Sequence, residues 1–198
     1  LSENSIIKIL PLLEKQKFLS KVGIYNNQTI DVDLNFFREL EINFNIDSVR
    51  WYFHLTGIFP DLSQSYLEAE LIDKYKNEIV IMRSLRRQNK NINYTFLNSY
   101  EDILFIGLEK EFDNLKVQIP KLKFHDSKDF LELASIIKSA KLFIGNLSFG
   151  YAIAEALKVP RLLESGPNFP LVYPNGVNAY DFYFQNHFEK LVKKMSNN

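Results

Sequence analysis

Leu142 to Ile144 form a short apolar run, and Gly145, Asn146 and Ser148 then break it before helical periodicity resumes from about Ser148 to Lys158. A buried strand that turns this sharply into a helix leaves unpaired backbone N–H groups at the helix start, where they can hold an anion. In an α/β sheet such a junction lies beyond the carboxyl end of a strand, the usual position of a ligand. Gly145 permits a tight turn, and Ser148 can cap the helix while offering a hydroxyl to phosphate. Asn146 contacts a ligand or supports the turn. Gly150 lets the backbone approach a pyrophosphate or relieves crowding against a neighbouring strand. For the whole group the alternative is an ordinary capped crossover helix.

Similar alternation runs through the rest of the chain. Apolar strand candidates are Glu78–Met82, Ile103–Ile106, Lys121–Phe124 and Val159–Leu163. Helical patterns fall at Leu108–Leu115, Lys128–Ser139 (capped by Asp126 or Ser127) and Ala179–Met195. Tyr94–Leu97 reads as a short helix or an edge strand, and Gly166, Pro167, Pro170, Pro174 and Gly176 mark a loop-rich stretch. Strands separated by helices imply a largely parallel sheet with right-handed crossovers. Before this region come a helix through Ile6–Leu13 capped by Ser2 or Asn4, a strand at Lys21–Tyr25, and a helix over Asp47–Phe53 capped by Asp47. A boundary falls near Asp61–Tyr75, bridged by a short helix at Tyr66–Leu71. An α/β domain more often starts with a strand, so an opening at Leu1 that leads into a helix reads as the remainder of a longer protein, a processed chain or a divergent start.

Composition excludes several classes. With 24 basic and 24 acidic residues, no strong field draws the chain to nucleic acid or to an anionic membrane. Zero cysteines rule out disulfides and thiolate metal sites, and three histidines without a recognised spacing are poor grounds for a metal centre. There is no apolar run of membrane-spanning length and no signal-peptide pattern, which makes cytoplasm the default location.

The stretch Gly145-Asn146-Leu147-Ser148-Phe149-Gly150, followed by Ala152, Ala154 and Ala156, resembles the strand-end signature of nucleotide-sugar-dependent glycosyltransferases with two Rossmann-like lobes, the heptosyltransferase-like group in particular. That signature is commonly Gly-Asn-Asp-Ser-Gly-Pro; here Leu147 stands in place of Asp and Phe149 in place of the first motif glycine. The resemblance covers roughly Asn77–Met195. It implies a GT-B-like α/β fold, with a partial amino-terminal acceptor-side lobe and linker over residues 1–70 and a donor-nucleotide-binding Rossmann-like lobe over 71–198. It also implies transfer of a sugar from a nucleotide-sugar donor to a glycan or other hydroxyl acceptor, without a metal or other cofactor. Non-catalytic nucleotide or glycan binding, or a structural role with a protein partner or a second copy, are the alternatives.

Arg83 and Arg86 follow the Glu78–Met82 strand, at the same sheet edge as Gly145 if the two strands are parallel. Guanidinium forks suit a nucleotide diphosphate, and the resemblance supports a basic residue here; an ordinary polar loop is the alternative. Glu164 ends the Val159–Leu163 strand, where a carboxylate can accept ribose hydroxyls, unless it is a loop or capping carboxylate. Inverting sugar transfer needs a base for the acceptor hydroxyl, and Asp33 and His54 are the candidates, against salt-bridge or capping roles.

Overall fold

The computed structural model describes residues 3–39, 48–166 and 172–196. Ser2 and Asp47, two expected helix caps, lie outside them, as do Pro167 and Pro170. Six strands form one parallel sheet: β1 (Ile79–Met82), β2 (Ile103–Ile106), β3 (Lys123–His125), β4 (Leu142–Asn146), β5 (Arg161–Glu164) and β6 (Ala179–Phe182). Their order is β3-β2-β1-β4-β5-β6, the doubly wound arrangement of a Rossmann-like domain. Helices are α1 (Glu3–Glu14), α2 (Ser48–Thr56), α3 (Glu109–Lys116), α4 (Phe130–Ser139), α5 (Phe149–Leu157) and α6 (Gln185–Ser196).

The strands are nearly continuous apolar runs because both faces are covered. Ile79, Ile81, Phe105, Ile144 and Phe182 point to one face, against Phe112 and Leu115 of α3 and Phe188, Leu191 and Val192 of α6. Val80, Leu104, Phe143 and Leu163 point to the other, against Leu133 and Ile137 of α4 and Tyr151 and Ile153 of α5. Leu12 of α1 joins this second core, and Gln16 secures the chain just after α1. Its amide donates to the carbonyls of Leu12 (2.7 Å) and Glu68 (3.1 Å) and accepts from the Glu68 N–H (2.8 Å).

Three elements differ from the sequence reading. Lys21–Tyr25 forms no strand: the segment lies beside no other described strand, and Ile24 and Tyr25 stand exposed. Tyr66–Leu71 is not helical, because its backbone bonds outward instead, the Tyr66 N–H to the Ala156 carbonyl and the Ile72 N–H just beyond it to Ser139 Oγ. Ala179–Phe182 is a strand rather than the first turn of a helix, since a parallel partner, β5, is available to it. All strands among the described residues belong to the one sheet. The expected Rossmann-like lobe is therefore present, and among the described residues it supplies the one sheet.

Candidate functional site

The connection from β1 leads to β2 on one side, and that from β4 leads to β5 on the other. The chain therefore diverges between the carboxyl ends of β1 and β4, the position at which open α/β sheets bind ligands. The last backbone register pair there is Met82 with Gly145. One residue further on, the Asn146 side chain continues the pairing. Its Oδ1 accepts from the Ser84 N–H at 2.8 Å and its Nδ2 donates to the Ser84 carbonyl at 2.7 Å. Fully buried Asn146 thus fixes the floor of the crevice.

Both glycines serve close packing. A Cβ on Gly145 would lie 2.8 Å from a Phe143 ring carbon and 3.0 Å from the Met82 carbonyl, and one on Gly150 would overlap the Met82 sulfur. Glycine at position 150 therefore lets the first turn of α5 settle against the end of β1. Ser148 is the N-cap of α5 with extended backbone (φ −149°, ψ 171°), yet its side chain caps no helix N–H. Its Oγ is buried without a hydrogen-bond partner among the described residues. A buried hydroxyl left unpaired costs roughly 1–3 kcal/mol. At a helix start it is also a donor with nothing yet to donate to.

Arg83 and Glu164 meet each other. The guanidinium is 3% exposed and the Glu164 residue 1%. Arg83 Nε donates to Glu164 Oε2 at 2.6 Å and Nη2 to Oε1 at 2.9 Å. The same carboxylate accepts from the Asn89 N–H (2.5 Å) and the Tyr94 hydroxyl (2.7 Å). The Tyr94 ring also lies 4.6 Å from the Arg83 guanidinium carbon, a cation–π contact. Burial opposes the Arg83 charge, but the Glu164 hydrogen bonds and the pull of Tyr94 and Glu164 outweigh it, and the net shift is upward. Burial first, then the Glu164 charge, holds the Tyr94 phenol far above its usual range and keeps it neutral. Each Glu164 oxygen accepts two donors, so the carboxylate faces the interior rather than an open ribose site.

Arg86 sits on the 3₁₀ turn Leu85–Arg87, between Arg83 and Asn89 in the chain, exposed and without an ion pair or side-chain hydrogen bond among the described residues. A cavity of about 110 Å³ also opens at the carboxyl ends of β1, β2 and β3, lined among others by Lys8, Met82, Gly107, Asp126, Ser127 and Asp129. Ser127 Oγ is also buried and unpaired among the described residues. Phe130 and Phe149, the first residues of α4 and α5, pack with their rings tilted and the centroids 4.6 Å apart, so the two helix starts lie side by side.

Of the residues expected from sequence, Ser148, Asn146, Gly145, Gly150, Arg83, Arg86 and Glu164 therefore all gather at one edge. Asp33 and His54 belong to elements outside the sheet: Asp33 Oδ1 accepts from the Asn35 N–H (2.8 Å) at the 3₁₀ turn Leu34–Glu39, and His54 is exposed on α2. Gly107, Asp126 and Ser127, just past the ends of β2 and β3, were not assigned to the site, and the helix cap expected of Asp126 or Ser127 is Asp129, whose Oδ1 accepts from the Glu132 N–H (2.8 Å); Gly107 also has a positive φ of 137°. Asn89 and Tyr94 carried no sequence signal, being joined to Glu164 only by the fold. Among the described residues no group of His, Asp and Glu is placed to hold a metal ion, and no helix is long and apolar enough to cross a membrane.

Two solved structures are similar to part of the chain. The E. coli heptosyltransferase WaaC with ADP-2-deoxy-2-fluoro heptose aligns over 73% of this chain and 53% of its own, with a TM-score of 0.52 and 14% identity. A glycosyl transferase family 9 structure from Veillonella parvula aligns over 75% and 54%, with a TM-score of 0.48 and 14% identity. The chain thus spans about half the length of these structures, and its likeness to the first is one of fold alone, over that half. No protein-family model matches the chain, nor does any curated protein.

Proposed function

We propose that this chain forms the donor side of a glycosyltransferase-like site and holds the diphosphate of a nucleotide sugar at the start of α5. The carrying observation is the buried, unpaired Ser148 hydroxyl at a helix start, with the unpaired Arg86 guanidinium on the adjoining loop. Ser148 Oγ and the first N–H groups of α5 donate to phosphate oxygens, and Gly145 and Gly150 give the close packing that shapes this cradle. Arg86 balances the charge that builds on the leaving diphosphate, the physical source of rate enhancement in this reading. The hydroxyl-bearing part of the donor enters the adjacent crevice, where Ser127 donates and Asp126 accepts. Arg83 and Glu164, which the sequence reading placed directly on phosphate and ribose, act here from beneath, with Asn146. The acceptor hydroxyl passes its proton to a base, for which Asp33 and His54 are the residues we put forward, and no metal takes part.

A second reading, nucleotide binding without transfer, is favoured by the capping role of Asp33 and the exposure of His54. Titration calorimetry with ADP, UDP and GDP, run with a transfer assay on the same preparation, separates the two. Binding that Ser148→Ala and Arg86→Ala each weaken about tenfold supports the cradle. Affinity unchanged in both variants removes it.

A further inference from the structure

The seven residues Arg83–Asn89 carry the one guanidinium assigned to the diphosphate, and three buried side chains hold both ends of this segment. At its start, Asn146 brackets the Ser84 backbone with two hydrogen bonds of 2.7 and 2.8 Å, while Glu164 holds Arg83 through Nε and Nη2. At its end, Glu164 Oε1 accepts from the Asn89 N–H (2.5 Å). The Asn89 Nδ2 donates to the carbonyls of Ser165 (3.0 Å) and Tyr183 (3.2 Å), just beyond β5 and β6. One carboxylate therefore fastens the two ends of the segment, and Arg86 is the exposed arginine between them. The anchors Arg83, Asn89, Asn146 and Glu164 are all at least 93% buried, so none of them reaches a ligand in the open crevice.

We infer that Glu164, Asn89 and Asn146 are positioning residues that fix the Arg83–Asn89 segment before ligand arrives, so that Arg86 meets the diphosphate without ordering a loop. This rests on the diphosphate reading above. Ordering a free loop on binding costs backbone entropy at every residue that is fixed, so a segment already fastened keeps that amount in affinity. Glu164 thereby serves the same ligand as a ribose-binding carboxylate would, but through the loop.

Asn89→Ala tests this most cleanly, because it loosens the far end of the segment and leaves the Glu164–Arg83 pair and the α5 start intact. Inorganic pyrophosphate is the probe, titrated into the full chain, with amide hydrogen exchange of the ligand-free protein as the second readout. Exchange at Ser84 and Asn89 should be slow in the wild type and about tenfold faster in Asn89→Ala. Pyrophosphate affinity should fall about tenfold in that variant, and the fall should vanish when Arg86→Ala is already present. Tyr94→Phe, which keeps the ring and removes one donor to Glu164, should show the same pattern more weakly. Faster exchange with unchanged affinity would overturn the positioning role alone, as would a loss that simply adds to that of Arg86→Ala. A wild type that does not bind pyrophosphate would overturn the diphosphate reading itself, and this role with it.

Discussion

Strand β5 is four residues long and carries a buried ion pair at each end, yet the two pairs do different things. At its amino end Arg161, fully buried, donates to Glu155 Oε2 (2.5 Å), to the Val159 carbonyl (2.9 Å) and to the Asn175 carbonyl, while Glu155 also holds Lys158 and the Asn175 N–H. These partners lie within twenty residues of one another and close the turn out of α5 against the loop before β6. At its carboxyl end Glu164 joins Arg83, Asn89 and Tyr94, residues 81, 75 and 70 positions away. Pairing and burial are alike in both. The first cluster finishes a local crossover; the second ties the far-side loop of β1 to the edge where Ser148 and Arg86 stand. Buried ion pairs by themselves thus say little about function, and the groups they hold in place say more.

Breaking either pair should give the largest effects. Glu164→Ala leaves a buried guanidinium with two carbonyls at 3.4 Å and the Tyr94 ring in place of its carboxylate and should cost about 3–5 kcal/mol in chemical denaturation. Glu155→Ala should fall near the lower end, about 3 kcal/mol, because Arg161 keeps the Val159 and Asn175 carbonyls. Nucleotide affinity measured on the folded fraction should drop for the first variant and stay level for the second. An equal drop in both would erase the contrast.

Next in size is Gly150→Ala, whose new methyl group must displace Met82; the cost should be about 1–3 kcal/mol. In a Met82→Ala background, the same substitution should cost much less. Smaller again is Ser148→Ala, which removes an unpaired hydroxyl. Its unfolding free energy should stay level or rise, by up to about 1 kcal/mol, while binding weakens.

The smallest effect concerns a third, more open pair, in which Glu132 accepts from the Lys128 N–H (2.8 Å) and lies 3.1 Å from His125 Nε2. Burial tends to raise the Glu132 pKa, but those two partners prevail and hold it below its ordinary 4.5. A depressed carboxylate stabilises the fold above its unfolded value and loses that contribution as pH falls through the folded one. The stability gap between wild type and Glu132→Gln should therefore be full above about pH 5 and close on acidification. A gap that widens in acid would reverse the sign.

The sheet was legible because its strands are short, two-sided apolar runs with glycine or polar breaks, a pattern that local burial imposes. Ile103–Ile106 came out as read, and the other internal strands within one or two residues. The turn from β4 into α5 followed too, with Ser148 at the helix start, although Gly145 and Asn146, read as breaks, are the last two residues of the strand. What stayed hidden depends on distant partners. Nothing near Glu164 reveals that Arg83 and Tyr94 will enclose it, so its strand-end position suggested ribose. β6 was read as helix because Ala179–Phe182 has helical periodicity until β5 supplies a ladder. Lys21–Tyr25 shows the converse, a strand-like run with no ladder to join.

Amide chemical-shift mapping with ADP tests the central claim most directly. Shifts concentrated at Ser84–Arg87 and Asn146–Gly150, with Glu155, Arg161 and Asn175 unmoved, are the result this account predicts. Shifts gathered around Arg161 at the opposite end of β5, or no shifts at millimolar ADP, would contradict it.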